Sequence, residues 1–482
     1  MNARNLIALG LAAGALAAAL PAAAQPGTPE APPAPGPLRP YAAPRVQEFR
    51  LGNGLRVVLV EKHELPILSA NLVVEAGAIF EPAAKNGIAT LTGGLLSEGT
   101  RTLTAAQLAE RMETLGANYF TGGGQLTATM QVTALKETFA EALALAASTV
   151  LEPGFRPEDF ERRRSQAIAG FAQSQSTVEG LAGATWPRAV YGAESPYARL
   201  SGGTRESLQG LTREDVVSWH ATMYAPGNST LVLVGDVTAA EARPMAERAF
   251  GAWRAQAPAL QRPAQRPRRE GGNRVILVDR PGSVQSAIWV GSGTIGITHA
   301  DYLRMIALNH VLGGQTTARV NANLRERHGW TYGAGSGFFA GREAGTLGIQ
   351  SSVRTNATDS SVVEAVAELR RIIAEPVPAQ ELTNGLNNIV SSFPSSVQTV
   401  QGIAGRMNTL VVNGMPLDFW NTYRERLAAL TPQDLSQAGR QHLSPDALTI
   451  VVVGDLSQVE APVRALNLGT VEVWDANGNK LR

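Results

Sequence analysis

Two stretches of this chain are one module written twice. Leu211 to Thr238 reads LTREDVVSWHATMYAPGNSTLVLVGDVT, and Leu430 to Ser457 reads LTPQDLSQAGRQHLSPDALTIVVVGDLS. They align without a gap, Leu211 on Leu430, at an offset of 219 residues. Each predicts a capped helix, a turn at a proline (Pro226, Pro445), an apolar strand and a closing Val-Gly-Asp. Arg56-Val-Val-Leu-Val60 returns as Arg274-Val-Ile-Leu-Val278 at an offset of 218, and Glu152-Pro153 as Glu375-Pro376 at 223. Small insertions account for the drift. A unit of roughly 220 residues has therefore been duplicated, and the fold must consist of two like halves. The halves span 46–254 and 274–482. Between them Ala255 to Asn273, with Pro258, Pro263, Pro267, a run of arginines and a Gly pair, predicts an exposed linker. Two like halves on a long linker suggest a clamshell with an inner cavity.

A chain of 482 residues with 44% apolar and 17% charged residues has ample core for such a pair. A formal charge of +1 and the lack of a basic stripe with interleaved aromatics give nucleic-acid binding no support. The absence of cysteine excludes a disulfide frame, a thiolate zinc site, a Cys nucleophile and a lipoprotein acylation site. The first 24 residues predict a signal peptide: Arg4, an apolar run from Leu6 to Leu20, and Ala-x-Ala ahead of Gln25. The run is shorter than the ~20 residues that span a bilayer. Export, cleavage near Ala24, a periplasmic location and no membrane anchor after cleavage are the expectations. Residues 25–45, rich in Pro and Ala, predict an extended tether.

From Val46 the pattern changes. Leu51 to Val60 predicts a hairpin turning at Asn53-Gly54, and Pro66 to Glu75 a second strand. Thr104 to Leu115 predicts an amphipathic helix capped by Thr104 or Thr102, followed by a strand over Gln125 to Thr133. Gly122-Gly-Gly124, after Tyr119 and Phe120, predicts a loop. Helices are expected over Glu137 to Leu151, Pro157 to Gln173 and Thr212 to Met223, and a buried strand over Ser229 to Gly235. One segment resists this treatment. Gly87-Ile-Ala-Thr-Leu-Thr-Gly-Gly-Leu-Leu-Ser-Glu-Gly-Thr100 carries a helical apolar stripe at Ile88, Leu91, Leu95 and Leu96. Yet Gly93 and Gly94 sit side by side within it, each unfavourable by about 1 kcal/mol relative to Ala.

The frame of that segment resembles the active-site helix of the pitrilysin/insulinase family of zinc peptidases, which includes the mitochondrial processing peptidases. There the helix reads roughly G-x-A-H-x-x-E-H-M-L-x-x-G-T. Gly87, Ala89, Leu96, Gly99 and Thr100 hold the frame. The two metal histidines fall on Thr90 and Gly94, and the catalytic Glu on Gly93. The third ligand, a Glu roughly 76 residues beyond the second His, falls on Gly170. Two His at i and i+4 share a helix face and grip one zinc ion, but Thr is a poor ligand and Gly offers none. The resemblance thus implies a peptidase site with its chemistry removed and no catalytic zinc in this chain. It also implies an α+β fold, each half a β-sheet covered by helices, the two closing around a peptide cavity.

In the second half, Leu324-Arg-Glu-Arg-His-Gly-Trp-Thr-Tyr-Gly333 resembles the family motif L-R-E-x-x-G-x-x-Y, and Leu312 to Arg319 its glycine-rich turn. There an Arg and a Tyr seven residues on contact substrate carbonyls; the matching residues are Arg325 and Tyr332. A guanidinium and a phenol both donate to a carbonyl and can stabilise an oxyanion. The residues alone leave a plainer alternative: Arg325 as a surface helix residue and Tyr332 as a strand core residue. In some bacterial members one subunit carries zinc and its partner carries the Arg/Tyr pair. The resemblance therefore implies a non-catalytic subunit. Its partner would be a zinc-bearing family member with an intact H-x-x-E-H, and its substrate a peptide or unfolded protein. A catalytically dead scaffold of the same fold is the second expectation.

Other signals are thin. Gly291-Ser-Gly-Thr-Ile-Gly296 matches G-x-G-x-x-G, but lacks the acidic residue about 20 positions on and is expected to be a turn after edge strands. The six histidines show no i, i+4 pair. His220 and His442, in near-equivalent repeat positions, predict structural roles, and His328 beside Arg325 is a candidate to face the cavity.

Overall fold

The computed structural model describes residues 44–482. The expected signal peptide, and the tether up to its last two residues, lie outside the described residues. The first half builds β1 (Val46–Arg50), β2 (Arg56–Glu61), β3 (Ile67–Val74), β4 (Asn118–Gly123), β5 (Ala128–Leu135) and β6 (Ser229–Gly235). The second builds β7 (Arg274–Asp279), β8 (Gln285–Ile295), β9 (Thr331–Ala340), β10 (Ala344–Arg354), β11 (Thr449–Gly454) and β12 (Thr470–Trp474). Each set forms a six-stranded mixed sheet, ordered β1-β2-β6-β3-β5-β4 and β12-β7-β11-β8-β10-β9. Five strands correspond one to one; β6 lies parallel to β2 as β11 lies parallel to β7. The sixth is recruited differently. β1 precedes its sheet and pairs antiparallel, whereas β12 follows its sheet and pairs parallel. The duplication thus appears as two copies of one sheet topology, and the fold is α+β.

The repeated apolar strands need cover on both faces. Every residue of β6 and of β11 is buried, the signature of a strand with no solvent side. Eight helices matter here: α1 (Ile88–Leu95), α2 (Pro157–Ser174), α3 (Val178–Tyr191), α4 (Arg213–Met223), α5 (Tyr302–Leu312), α6 (Ala379–Ser396), α7 (Val400–Asn413) and α8 (Pro432–His442). Two of them are exchanged between the halves. From the first half, α3 lays Val178, Leu181, Trp186 and Val190 on Ile276, Val278, Val451 and Val453 of the second sheet. From the second half, α7 packs Ile403, Met407 and Leu410 into one cluster with Val58, Val60, Val232 and Val234 of the first. Each half therefore completes the other's core.

This exchange rests on a second repeated motif. Thr177-Val-Glu-Gly-Leu-Ala-Gly183 and Thr399-Val-Gln-Gly-Ile-Ala-Gly405 head the two exchanged helices. Thr177 Oγ1 accepts from the Gly180 amide at 3.1 Å, and Thr399 Oγ1 from the Gly402 amide at 3.0 Å. Both glycines are obligatory. A Cβ at Gly180 would lie 1.7 Å from the Ser174 carbonyl oxygen, and one at Gly402 2.4 Å from that of Ser396.

Several expectations are met. The hairpin closes with Arg50 opposite Arg56, and Thr104 caps its helix in a capping box with Gln107. Others need correction. Residues 255–273 carry no helix or strand but lie half-buried against both halves rather than standing out as a linker. Arg262 reaches Glu75 at 2.6 Å and the Val412 carbonyl at 3.0 Å, and the Arg268 amide donates to Val190 O at 2.8 Å. The Gly291–Gly296 stretch is no turn. It runs along β8, where Gly291 lets β10 approach: a Cβ there would sit 2.1 Å from Leu347 O. Gly122 and Gly123 likewise belong to β4, paired with Thr129 and Ala128, and β5 starts at Ala128 because Gly124 and Thr127 close a turn. No helix among the described residues is long and apolar enough to cross a membrane.

Candidate functional site

A pocket of about 540 Å³ opens between α1, α2 and the loop Leu200–Gly203. Thr90, Gly94 and Gly170 all line it, so three of the four positions singled out in the sequence converge across 80 residues of chain. The remaining wall is neutral: Leu91, Ala167, Phe171 and Leu208 with Gln166 and Ser174. Its one charged residue, Arg163, is committed. Arg162 and Arg163 of α2 both pair with Glu98 just beyond α1. Burial alone would raise the Glu98 carboxyl, but the two guanidiniums outweigh it and hold it below the usual carboxylate range. This pairing pins α1 to α2.

The adjacent glycines of α1 have opposite surroundings. Gly94 and Gly170 would each project a Cβ into open space, with no atom within 4 Å. Gly93 faces away from the pocket and into the edge strand β4. A Cβ there would meet Gly123 N at 2.4 Å and Gly122 C at 2.5 Å, and one at Gly123 would meet Ala89 O at 2.3 Å. Helix and strand touch backbone to backbone, which only glycine allows. The second half repeats the contact: a Cβ at Gly313, at the end of α5, would lie 2.4 Å from Ser336 N on β9. Gly93 is thus a packing glycine.

The helix start is secured by a residue that the sequence pattern does not flag. Glu81, buried, accepts from Gly87 N at 3.0 Å, Ala89 N at 2.7 Å and Asn86 Nδ2 at 2.9 Å. It supplies the cap that Gly87, with φ +98°, does not. Burial pushes its carboxyl up against the pull of those donors.

The donor set does not fit a catalytic zinc. Thr90 contributes one hydroxyl, and it already donates to Ser201 O at 2.7 Å. Glycines at 93, 94 and 170 contribute nothing. No zinc-dependent step can be derived for this pocket.

Arg325 and Tyr332 stand elsewhere, in the second half, and neither lines the pocket. Arg325 sits in the π-helical turn Ala322–Arg327 with its side chain 45% exposed, 3.5 Å from Glu326. Tyr332 is the second residue of β9, the edge strand of its sheet, and is 92% exposed. The strand-core alternative for Tyr332 therefore fails. Its hydroxyl makes no hydrogen bond to the described residues. His328 stacks on Trp330, ring centroids 4.0 Å apart. His220 lies between Phe155 and Tyr224, and its Nε2 meets Val150 O at 2.8 Å. His442 contacts Asp301. The two repeat histidines thus have unlike partners.

Two duplicated mixed sheets, exchanged helices and a helix pair that frames a donor-free pocket define a metallopeptidase-type fold without its metal ligands. The chain belongs to the insulinase (M16) family of peptidases. Residues 56–192 match the family description "Insulinase (Peptidase family M16)", and residues 210–389 match "Peptidase M16 inactive domain". Among curated proteins it is 23% identical over 407 residues to a "Non-peptidase homolog YmxG" of Helicobacter pylori, covering 83% of this chain and 91% of that protein. It is 22% identical over 351 residues to an "Uncharacterized zinc protease" of Rickettsia bellii, covering 73% and 84%. The crystal structure of a peptidase M16 inactive domain from Pseudomonas fluorescens superposes with a TM-score of 0.80 at 25% identity, over 85% of this chain and 98% of that one. A protease from Helicobacter pylori shares the fold, with a TM-score of 0.79 at 19% identity, over 85% and 100%. The chain has the fold of an inactive, non-peptidase M16 homologue.

Proposed function

We propose that this chain is the non-catalytic subunit of a heterodimeric periplasmic zinc peptidase. A zinc-bearing family member with an intact H-x-x-E-H is the partner, and the zinc and its activated water belong to that partner. This chain contributes Arg325, Tyr332 and one wall of a chamber that holds a peptide or an unfolded protein. The observation that carries the reading is the contrast between the two halves. The metal donors are gone from the first. In the second, Tyr332 keeps a phenol at an edge strand with no hydrogen-bond partner among the described residues, and Arg325 holds an exposed guanidinium seven residues earlier. A phenol this exposed is available to donate to a peptide carbonyl, and the guanidinium offers a planar fork to the same kind of acceptor. If both donate as negative charge develops on that oxygen, they stabilise the transition state more than the ground state.

The test is peptidase activity of the purified chain alone, of a family member with intact H-x-x-E-H alone, and of the mixture. Activity confined to the mixture and reduced at least about tenfold by Tyr332→Phe or Arg325→Ala supports the reading; loss of one positioned donor typically has that size or more. Activity in this chain alone would overturn it. A stable complex without activity favours the second reading, a peptide-binding scaffold, which the donor-free pocket also supports.

A further inference from the structure

The second half carries a side-chain constellation that the peptidase reading does not use. His299 lies in the loop that follows β8, Asp301 immediately precedes α5, and His442 is the last residue of α8. Among the described residues these three are the one set of His, Cys, Asp or Glu whose ligand atoms, one from each, lie close enough to share an ion, all within 4.8 Å of one another. Asp301 Oδ2 sits 2.7 Å from His442 Nε2 and 3.9 Å from His299 Nδ1. The imidazoles meet nearly edge to face, centroids 4.8 Å apart at 73°.

We propose that His299, Asp301 and His442 form a binding site for one divalent transition-metal ion of the zinc class, clipping the start of α5 to the end of α8. The spacing is the first argument. A tetrahedral ion with bonds of about 2.0–2.2 Å holds its ligand atoms about 3.4 Å apart. The two observed separations to Asp301 bracket that value, and the widest span of the set, up to 4.8 Å, closes by about 1.4 Å if the exposed His299 side chain turns inward. Orientation is the second. Asp301 Oδ1 is held by Arg304 at 2.7 Å, and Arg304 is held in turn by Asp434 at 2.9 Å. A carboxylate fixed by one oxygen presents the other, which is how an outer shell orients a metal ligand. Access is the third. The His442 and Asp301 side chains are 11% and 14% exposed, but that of His299 is 42% exposed. His299 Nδ1 at present accepts the Asp301 amide at 3.0 Å. Turning an exposed ring is cheap, so either nitrogen can face the ion, and a fourth position is left to water. Two imidazoles with one carboxylate select zinc, nickel or copper over calcium or magnesium.

The test is a zinc chloride titration of the chelator-stripped full chain, without a histidine tag, by calorimetry. One zinc per chain is expected. His299→Ala is expected to weaken it at least tenfold, while His63→Ala and His328→Ala leave it unchanged. His442→Gln should abolish it; should that variant fail to fold, the exposed His299 carries the test. Zinc should also raise the melting temperature of the wild type and not that of His299→Ala. No saturable binding, or binding that His299→Ala leaves intact, overturns the proposal. Neither outcome bears on the partner-dependent peptidase reading.

Discussion

Gly93 and Gly94 are neighbours in one helix, and the structure predicts that the same substitution acts on them with opposite sign. Alanine in a helix interior is favoured over glycine by about 1 kcal/mol, chiefly through the unfolded chain. At Gly94 the new methyl enters open space, with no atom within 4 Å, so Gly94→Ala should recover most of that gain. At Gly93 the methyl meets backbone atoms of β4 at 2.4 and 2.5 Å. Ordinary contact needs about 3.5 Å or more, so an edge strand bonded to β5 must retreat by roughly 1 Å. Overpacking of that kind costs about 1–3 kcal/mol. Net of the propensity gain, Gly93→Ala should destabilise by up to about 2 kcal/mol. The two variants should differ by about 1–3 kcal/mol. Denaturant unfolding followed by circular dichroism reads the difference, and amide exchange along β4 and β5 locates it. If Gly93→Ala is stabilised as much as Gly94→Ala, the account of a backbone-to-backbone contact is wrong.

Further outcomes follow from the same geometry. The triple variant Thr90→His, Gly94→His, Gly170→Glu directs three ligands into the pocket. It should bind zinc, read by metal analysis after dialysis, yet stay without peptidase activity, because glycine at position 93 supplies no carboxylate to activate the water. Burial depresses His220 from 6.5 to about 4, against the pull of its bond to Val150 O. Between those values the unfolded chain takes up the proton more readily than the folded one. Stability should therefore fall as pH drops from about 6.5 to about 4, by at most about 3 kcal/mol from this group. His220→Leu should flatten that part of the stability–pH curve. Trp186 of α3 packs against Trp289, centroids 5.6 Å apart, on the second half's sheet. Trp186→Ala should cost about 3–5 kcal/mol and separate the unfolding of the two halves in a calorimetric scan.

Much was legible in the sequence because it is local or repeated. The strands and helices around Asn53-Gly54, Thr104 and the two Val-Gly-Asp modules follow from turn chemistry, capping and apolar runs, each set by residues a few positions apart. The duplication is a property of the string itself and fixed two like halves. The emptied donor set needed only the identities at 90, 93, 94 and 170, since a side chain that is absent cannot ligate in any fold. Long-range contacts were not legible. In the string Gly93 and Gly94 look alike; only the position of β4 separates a packing glycine from a glycine over a pocket. The Gly291 motif reads as a turn until β10 is laid beside it. The linker of 255–273 reads as solvent-exposed until Arg262 finds Glu75 at 2.6 Å. The exchange of α3 and α7 left a trace in the paired Thr-Val-x-Gly motifs, but the faces they cover lie on sheets built from distant strands. Asp301 and His442 are 141 residues apart, and no spacing rule reaches that far. Sequence determines which groups a chain owns and how its short segments bend; burial and approach between segments decide which of those groups meet.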